Sequence, residues 1–492
     1  MRTLWTARRA ALAVAGIAFV VRCWNNSAGL PFAVGIDEPA VVDRALRMLQ
    51  TNDWHPHFFF YPSLTFYLHA AVATGSYLLG ASAGKWTSLA TFDPAALYFS
   101  ARLATAAIGA WTVWLVYRIG EELESPPLGL VAAALLAVHS LHVRESHFAL
   151  ADVPVTALTT LAVLLSCRAA RLRSVAAFAW AGLTVGLAAS AKYNGAVAAL
   201  AVLAAWALGP SAAEHRRSTL LAALGAMLAG FVVASPYAVL DISHFLNDFG
   251  SQAGRFVPRN RTASLQPWLV YLKHLRGPTP LWLPMAVAGM VAVAIRPPSL
   301  RRWLPLLAFS AGYFYVLATH PLIFARYALP IVPMGCLFAA AAAVRLAGIG
   351  KTWVPGFPSW GRWAAGGLLA VALGMMSWGT AAWVRSAGRP DTRVLAAQWL
   401  REASPAGAVV AVDSMGPQHL QTLGFTVVWA EILDGSSLER FLRQGVSYVV
   451  LSAENPDGDR PFLERGRVVF DLPAGPSRAG PSIRIVSLAP PS

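Results

Sequence analysis

The sequence predicts a polytopic α-helical membrane protein of about 11 transmembrane helices with a small α/β domain at its C-terminal end. Of the 492 residues, 56% are hydrophobic and 13% are charged, whereas a soluble domain carries about 25% charged residues. Apolar runs of about 20 residues, long enough to cross a bilayer as a helix, recur along most of the chain. After about residue 389, short apolar strands instead alternate with helical stretches.

Eleven apolar runs are predicted to cross the membrane. They lie at about residues 10–24, 97–119, 127–143, 152–170, 175–190, 194–209, 218–240, 280–296, 303–319, 326–347 and 363–384. A further apolar run at 62–81 contains Pro62, His69 and Gly75, and a crossing there would conflict with the sides assigned to its flanking loops. We therefore expect residues 62–81 to form a juxtamembrane or re-entrant helix within a first outer loop, 25–96.

The basic residues predict the orientation. The net charge is +15, and short basic loops between the apolar runs carry much of it, as the positive-inside rule describes. These loops lie at 168–173, 215–217, 296–302 and 345–362. Placing them inside makes the N-terminus cytoplasmic and the C-terminal domain extracytoplasmic. The same distribution argues against a nucleic-acid partner, and heavy use of Arg and Ala indicates a bacterial plasma membrane.

Two domains follow from this pattern, a transmembrane domain at 1–388 and a soluble extracytoplasmic domain at 389–492. An amphipathic helix opens the second domain, and strands are expected at 409–412, 425–429 and 446–451. Helical stretches are expected between the strands, at 416–422 and 437–443. The Pro-, Gly- and Ser-rich tail from Pro473 is expected to be loose at its end.

The first candidate site is the adjacent pair Asp37 and Glu38, which follows the first span and precedes an amphipathic helix at about 38–50. Two neighbouring carboxylates repel each other, which raises one pKa and suits that group to act as a general base. They also suit a divalent cation such as Mg²⁺ or Mn²⁺. The alternative is structural, with Asp37 capping a helix whose first turn contains Pro39.

Polar residues in the later outer turns are the other candidates, because ionisable groups at membrane depth are costly. Asp152 is a second possible acid or metal ligand, or a helix cap. His147 is a possible ligand or hydrogen-bond donor, and Arg144 a possible anion contact. Lys192 and Arg326 suit a phosphate, although both side chains also suit snorkelling at the interface.

The remaining outer residues carry weaker signals. Tyr193 has the character of an interface aromatic, and a charged surface is expected in the long outer loop, at Arg255, Arg259, Arg261, Lys273, His274 and Arg276. The three cysteines, Cys23, Cys167 and Cys336, lie in or beside apolar spans without metal-ligand spacing.

The order of these motifs resembles the GT-C glycosyltransferases, in particular the dolichyl-phosphate-mannose protein mannosyltransferases and the aminoarabinose (lipid A) transferase. The resemblance covers nearly all of the membrane part. It rests on Asp37-Glu38 after the first span, Tyr61-Pro62 opening the next apolar helix, Arg144, Ser146, His147 and Asp152, Ala191-Lys192-Tyr193, Arg326-Tyr327 with Pro330 and Pro333, and Asp391-Thr392-Arg393 with Trp399.

The resemblance implies transfer of a sugar, with inversion, from a polyprenyl-phosphate-linked donor to a glycan, lipid or protein acceptor on the outer face of the membrane. Asp37 would be the catalytic acidic residue, with Glu38 beside it and Asp152 as the second acid. Lys192 and Arg326 would hold the lipid phosphate. The residues predicted to bind substrate are Tyr61, Arg144, His147, Lys192, Tyr193, His320 and Arg326. The alternative function is a transporter or flippase of lipid-linked sugars, which would place charged or broken helices at the membrane midplane.

Overall fold

A computed structural model of the chain describes residues 2–209, 213–254, 266–277, 279–320, 322–347, 359–405, 407–430, 433–452 and 456–488. These residues form two compact units that are discontinuous in sequence. Unit 1 comprises Met1–Trp24, Arg44–Val72 and Arg102–Ala381, and unit 2 comprises Asn25–Asp43, Ala73–Ala101 and Ala382–Ser492. Two segments of the first outer loop belong to unit 2 together with the C-terminal residues, and the predicted domain boundary at 388 stays a prediction.

Helices account for most of the described residues. Those that precede the C-terminal sheet are α1 (Arg2–Cys23), α2 (Glu38–Thr51), α3 (Leu64–Ser82), α4 (Pro94–Leu123), α5 (Pro126–Ala137), α6 (Ser140–Glu145), α7 (Asp152–Leu172), α8 (Val175–Ala191), α9 (Ala199–Ala207), α10 (Ala213–Ala234), α11 (Tyr237–Leu240), α12 (Ile242–Gly254), α13 (Pro267–Arg276), α14 (Trp282–Ala294), α15 (Pro297–Thr319), α16 (Val332–Ala347), α17 (Ser359–Ala387) and α18 (Thr392–Ala403). Short 3₁₀ segments lie at Leu89–Thr91, Tyr193–Ala198, Ala325–Ile331 and Leu420–Leu423.

Each predicted span coincides with a helix, but only some of these helices are long and apolar enough to cross a membrane. Within the described ranges there are six such helices, at Leu4–Cys23, Pro94–Leu123, Asp152–Leu172, Glu214–Ala234, Ala325–Ala347 and Trp363–Ala387. Four further apolar helices are shorter, at Pro126–Ala137, Val175–Ala191, Tyr193–Ala207 and Trp282–Ala294. The chain is therefore a multi-pass membrane protein, and the count of eleven spans stays a prediction. Residues 62–81 do form a helix, α3.

Small residues bring the helices of unit 1 close together. A Cβ atom on Gly182 or Gly186 of α8 would collide with the backbone carbonyls of Ala223 or Met227 in α10. Helix packing inside a membrane depends on such close approach of backbones, because lipid supplies no hydrophobic drive between helices. The interior around α7 and α16 is similarly filled by alanine, valine and leucine.

A buried arginine fixes the end of α5. Arg22 of α1 is fully buried, and it donates to the carbonyl oxygens of Leu136 and Ala137 at 3.2 and 3.1 Å. A helix leaves its last carbonyls without intrahelical partners, so Arg22 satisfies groups that would otherwise be costly to bury. Its Nη2 also lies 2.9 Å from Nδ1 of His142, at the start of the segment that leads to Asp152.

Unit 2 contains a five-stranded mixed sheet. Its strands are β1 (Val409–Val412), β2 (Thr426–Trp429), β3 (Tyr448–Leu451), β4 (Arg467–Leu472) and β5 (Ile483–Ser487). Their order is β2-β1-β3-β5-β4, parallel across β2, β1 and β3 and antiparallel across β3, β5 and β4. The two remaining helices are α19 (Gly435–Arg443) and α20 (Pro456–Arg465).

Alternation along the strands gives the sheet two buried faces. Val410 and Val412 pack with the apolar side of α18, whereas Ala411 packs with Phe441 and Phe462 of α19 and α20. Successive side chains of a strand point to opposite faces, so a four-residue strand serves both layers. The predicted strands of 409–412, 425–429 and 446–451 are close to those observed.

Part of the Pro- and Gly-rich tail forms a strand, and its last residues, 489–492, lie outside the described residues. β5 lies inside the Pro- and Gly-rich segment and pairs with both β3 and β4. Ile483 and Ile485 are buried in the same core as α18. The predicted helix at 416–422 is instead a 3₁₀ turn, Leu420–Leu423, and 437–443 lies within the longer α19.

Within unit 2, residues of the C-terminal domain hold the segment that precedes Asp37. Arg393 Nη1 donates to the carbonyl oxygen of Val34 at 2.9 Å, and the backbone N–H of Gln418 donates to the carbonyl oxygen of Phe32 at 2.9 Å. Arg393 is itself fixed by a two-pronged ion pair with Asp391, both bonds at 2.9 Å. The motif Asp391-Thr392-Arg393 therefore anchors the first outer segment.

Candidate functional site

The site in unit 1 is built around Asp152, the first residue of α7. The partial positive charge of a helix N-terminus favours a carboxylate at this position. The Asp152 side chain is 6% exposed, and its Oδ1 lies 2.7 Å from Lys192 Nζ. Its Oδ2 lies 3.9 Å from Arg326 Nε. The structure thus brings together three predicted site residues that are far apart in sequence.

Both cations stand at the starts of short 3₁₀ segments. Lys192 follows α8 with an extended backbone and caps Tyr193–Ala198, and Arg326 lies in Ala325–Ile331. The Lys192 ammonium is 4.4 Å from the centroid of the Tyr327 ring, and the Arg326 guanidinium is 4.8 Å from that of Phe324. Such contacts orient a cation without neutralising it.

Lys192 lines a cavity of about 370 Å³. The walls are mainly aromatic and aliphatic, and the lining residues are Phe60, Tyr61, Lys192, Tyr193, Asn194, Phe249, Gln252, Tyr313, Val316, Leu317, Thr319, His320 and Tyr327. Four predicted substrate-binding residues, Tyr61, Lys192, Tyr193 and His320, therefore face one cavity. A concave, largely apolar pocket with a few polar groups is typical of a small-molecule site.

Hydrogen bonds fix the cavity wall. Tyr193 donates its hydroxyl to the carbonyl oxygen of Phe59 at 2.7 Å, which ties the first outer loop to the Lys192 turn. Asn194 donates to the Tyr313 hydroxyl at 2.7 Å, and that hydroxyl donates to the carbonyl oxygen of Tyr327 at 3.1 Å. Tyr193 is thus more than an interface aromatic, because its hydroxyl holds the loop that carries Tyr61.

His320 faces the cavity at the end of α15. Burial lowers the pKa of His320 and the positive charge of Lys192 lowers it too, whereas a hydrogen bond with the Leu322 backbone opposes the shift. The Nδ1 atom of His320 lies 2.8 Å from the carbonyl oxygen of Leu322 and 3.1 Å from its backbone nitrogen. The lowered pKa favours the uncharged ring at neutral pH, and Lys192 is the cation among the described residues that line this cavity.

Glu145 is a site residue that the sequence analysis did not single out. Its carboxylate is 6% exposed and lies 2.6 Å from Nη2 of Arg144. Burial raises the pKa of Glu145, Arg144 opposes that rise, and the negative charge of Asp152 adds to it. Glu145 stands beside Arg144 in the same outer turn, but nothing in the sequence showed which of the two side chains would be buried.

His147 is held by backbone groups. Its Nδ1 lies 2.8 Å from the carbonyl oxygen of Val143, and its Nε2 lies 3.0 Å from that of Trp24. Both ring nitrogens therefore face carbonyl groups that join this turn to the end of α1. These contacts fit a structural histidine, and a substrate contact by His147 stays a prediction.

Asp37 and Glu38 belong to unit 2, where they begin α2. Glu38 is fully buried, and its Oε2 accepts a 2.6 Å hydrogen bond from the backbone N–H of Gly35. The backbone N–H of Glu38 donates in turn to the Gly35 carbonyl oxygen at 3.0 Å. These two bonds close a turn between Gly35 and Glu38, the first residue of α2, so Glu38 stabilises the helix start while Asp37 is half-buried.

The surroundings of Asp152 do not fit a divalent cation, because a metal would have to compete with Lys192 and Arg326 for the same carboxylate oxygens. Among the described residues, no group of three or more His, Cys, Asp or Glu side chains has the arrangement of a metal site. The role of Mg²⁺ or Mn²⁺ at Asp37 and Asp152 stays a prediction that an EDTA titration of activity tests.

The predicted charged surface of the long outer loop is only partly described. Lys273, His274 and Arg276 lie in the last turn of α13. Arg255, Arg259 and Arg261 lie outside the described residues.

Comparison with known proteins gives one family match and several similar structures. The family profile described as "Dolichyl-phosphate-mannose-protein mannosyltransferase" matches residues 87–239, which include Asp152 and Lys192. No curated protein matches this sequence significantly.

Three solved structures, of two proteins, share the architecture of nearly the entire chain. ArnT from Cupriavidus metallidurans in the apo state is 15% identical, with a TM-score of 0.63 and full coverage of both chains. The GT-C fold is confirmed. ArnT bound to undecaprenyl phosphate gives a TM-score of 0.62 at 16% identity. The Archaeoglobus fulgidus oligosaccharyltransferase gives 0.61 at 14% identity, over 96% of this chain and 74% of that one.

Proposed function

We propose that this chain is a glycosyltransferase that takes its sugar from a polyprenyl-phosphate-linked donor. The sugar passes, with inversion, to an acceptor at the outer face of the membrane. The observation that carries the proposal is the placement of Lys192 and Arg326 around Asp152, beside an aromatic cavity in a GT-C fold.

The cations suit the leaving group. Breaking the bond between the sugar and the lipid phosphate leaves a phosphate that gains negative charge. Lys192 and Arg326, already oriented by Tyr327 and Phe324, stabilise that charge without moving far, which is how preorganised groups lower a barrier. Asp152 keeps the two cations from repelling each other before the donor binds.

The cavity suits a lipid-linked substrate. Its walls are mostly aromatic and aliphatic, and nucleotide sugars are absent outside the cytoplasm, so an activated sugar has to arrive there on a lipid. The structural similarity to ArnT bound to undecaprenyl phosphate supports this donor class. Undecaprenyl phosphate is accordingly the probe for the experiments below.

Asp37 is proposed as the general base. An acceptor hydroxyl or amine has to lose its proton as it attacks the sugar carbon, and a positioned carboxylate contributes roughly 10²- to 10⁴-fold to such a step. Glu38 is the less suited of the pair, since its carboxylate is buried and bonded to Gly35.

A binding measurement tests the proposal. Arg326→Ala and Lys192→Ala should each weaken undecaprenyl phosphate binding by roughly 10- to 100-fold, the worth of a hydrogen bond to a charged group. Binding is measured on the purified full chain by native mass spectrometry. Arg276→Ala is the control, because Arg276 is exposed on α13 and does not line the cavity. Equal affinity in all four proteins would refute the assignment of the cations.

The transporter alternative makes a different prediction for the accessibility of introduced cysteines. A transporter needs a water-filled path, so reactive positions should extend through the helix bundle. A transferase should show reactive positions on the side that carries Lys192 and His320. Labelling of single cysteines along the buried face of α7 separates the two functions.

A further inference from the structure

A second, larger cavity lies at the other end of unit 1. It has a volume of about 610 Å³ and is formed by the ends of α4, α7 and α9 and the beginning of α15. The charged residues that line it are Glu122, Glu124, Arg171, Arg173, Arg301 and Arg302. The proposed transfer reaction uses none of them.

Two helices show that the cavities are at opposite ends of the bundle. Asp152 begins the 21-residue helix α7 and Arg171 lies near its end, which separates them by roughly 30 Å at about 1.5 Å per residue. α15 runs in the opposite sense, from Arg301 and Arg302 beside the second cavity to Thr319 at the first. Since α7 is apolar and long enough to cross a membrane, the cavities lie near opposite faces.

The second cavity has surplus positive charge. The Glu124 carboxylate forms an ion pair with Arg345 and accepts a 2.9 Å hydrogen bond from Nε1 of Trp303. Glu122 is paired with Arg171 and Arg168. Within the described ranges, Arg173, Arg301 and Arg302 make no ion pair, and all three side chains are exposed.

We propose that this cavity binds the phosphate group of an anionic phospholipid headgroup. The three arginines supply the charge and the forked hydrogen-bond geometry that a phosphate requires. Leu123, Ala207 and Leu208 give the cavity apolar walls, which suit the glycerol end of a lipid better than a free ion. Basic pockets between the ends of transmembrane helices are sites where anionic headgroups bind.

The experiment compares lipid retention by the full-length protein purified with phosphatidylglycerol or phosphatidylcholine. The double variant Arg301→Gln/Arg302→Gln should lose phosphatidylglycerol affinity by roughly 10- to 30-fold, as expected for removing two cations near the surface. The matched control is Arg217→Gln/Arg296→Gln, which removes two exposed arginines from predicted inside loops that do not line the cavity. Phosphatidylcholine retention should be equal in all three proteins.

Two results would overturn the proposal. Equal losses of phosphatidylglycerol in both double variants would show a diffuse basic surface in place of a site. Displacement of the lipid by inorganic phosphate alone would assign the cavity to a soluble phosphate ligand. If the cavity variant fails to fold, the wild-type chain is crosslinked with a photoactivatable phosphatidylglycerol instead. Crosslinks at 167–173 or 301–302 support the site, and crosslinks only elsewhere refute it.

Discussion

Two acidic positions differ in how the protein uses their charge. Asp152 in unit 1 is buried against Lys192 and Arg326, whereas the Asp37–Glu38 pair in unit 2 begins α2 with Glu38 buried and bonded to Gly35. The Asp152 carboxylate is engaged by two cations that lie beside the cavity, so it is suited to organising them. Asp37 is the proposed general base.

The two acidic positions are also held in place by different kinds of contact. Asp152 is held by the side chains of Lys192 and Arg326, and these two cations are also the proposed phosphate ligands. The segment before Asp37 is held through its backbone by Arg393 and Gln418. Substitutions at the two positions should therefore change different measurements.

The largest effect is expected for Asp37→Asn. Loss of the general base should reduce transfer from an undecaprenyl-phosphate sugar by roughly 10²- to 10⁴-fold, while undecaprenyl phosphate affinity and protein level stay close to those of the wild type. Activity in membranes and binding by native mass spectrometry give the two readouts. Near-normal turnover would remove Asp37 from the mechanism.

The second-largest effect on transfer activity is expected for Arg393→Ala. Without the bond to the Val34 carbonyl oxygen, the Asp37 segment is free to shift, and a misplacement of about 1 Å can cost roughly 100-fold in rate. We expect kcat to fall and KM for the donor to change little, with partial recovery in Arg393→Lys. Hydrogen exchange of residues 30–38 should rise in parallel.

The control for Arg393 is Arg484→Ala, which removes an exposed ion pair with Asp471 at 3.0 Å in the same sheet domain. This variant should keep both the rate and the exchange pattern of residues 30–38. An equal fall in kcat for both variants would mean that Arg393 acts through general stability of the domain.

Asp152→Asn should lower stability more than donor affinity. Lys192 and Arg326 would lose their counter-ion, and breaking a buried pair costs up to about 3–5 kcal/mol. Lys192 is 13% exposed and lines the cavity, so contact with water should reduce that cost. Undecaprenyl phosphate should bind at least as tightly, since the phosphate no longer competes with a carboxylate. Weaker lipid binding together with unchanged thermal stability would contradict this view.

The sequence predicted the architecture better than the details of the site. Apolar runs give helix positions directly, because a buried helix needs a continuous apolar segment. The same runs do not give the span count, since helices such as α5 and α14 are short. β5 was missed because its pairing partners, β3 and β4, are distant residues that override a Pro- and Gly-rich local composition.

The sequence also predicted the location of the site better than its contacts. Topology placed Asp152, Lys192 and Arg326 on one side of the membrane, and the structure brings them into contact. Whether Glu145 or Arg144 would be buried could not be read from two adjacent residues, because burial depends on the helices packed around them. The bond between Arg393 and Val34 spans most of the chain and leaves no local pattern.

The smallest predicted effect concerns pH and Glu145, which shares the surroundings of Asp152. Burial raises the pKa of this carboxyl in the folded protein, so the folded state binds more protons than the unfolded state once the pH exceeds the ordinary carboxyl pKa of about 4.3. The wild-type free energy of unfolding should therefore fall as pH rises from that value through the raised folded pKa. Glu145→Gln lacks this titration, so its stability relative to the wild type should increase across that window and then level off.

Thermal unfolding in detergent across this pH window measures the difference in stability. The control is Glu464→Gln, because Glu464 forms an exposed ion pair with Arg460. Parallel curves for wild type and Glu145→Gln would show that Arg144 fully offsets the burial of this carboxylate.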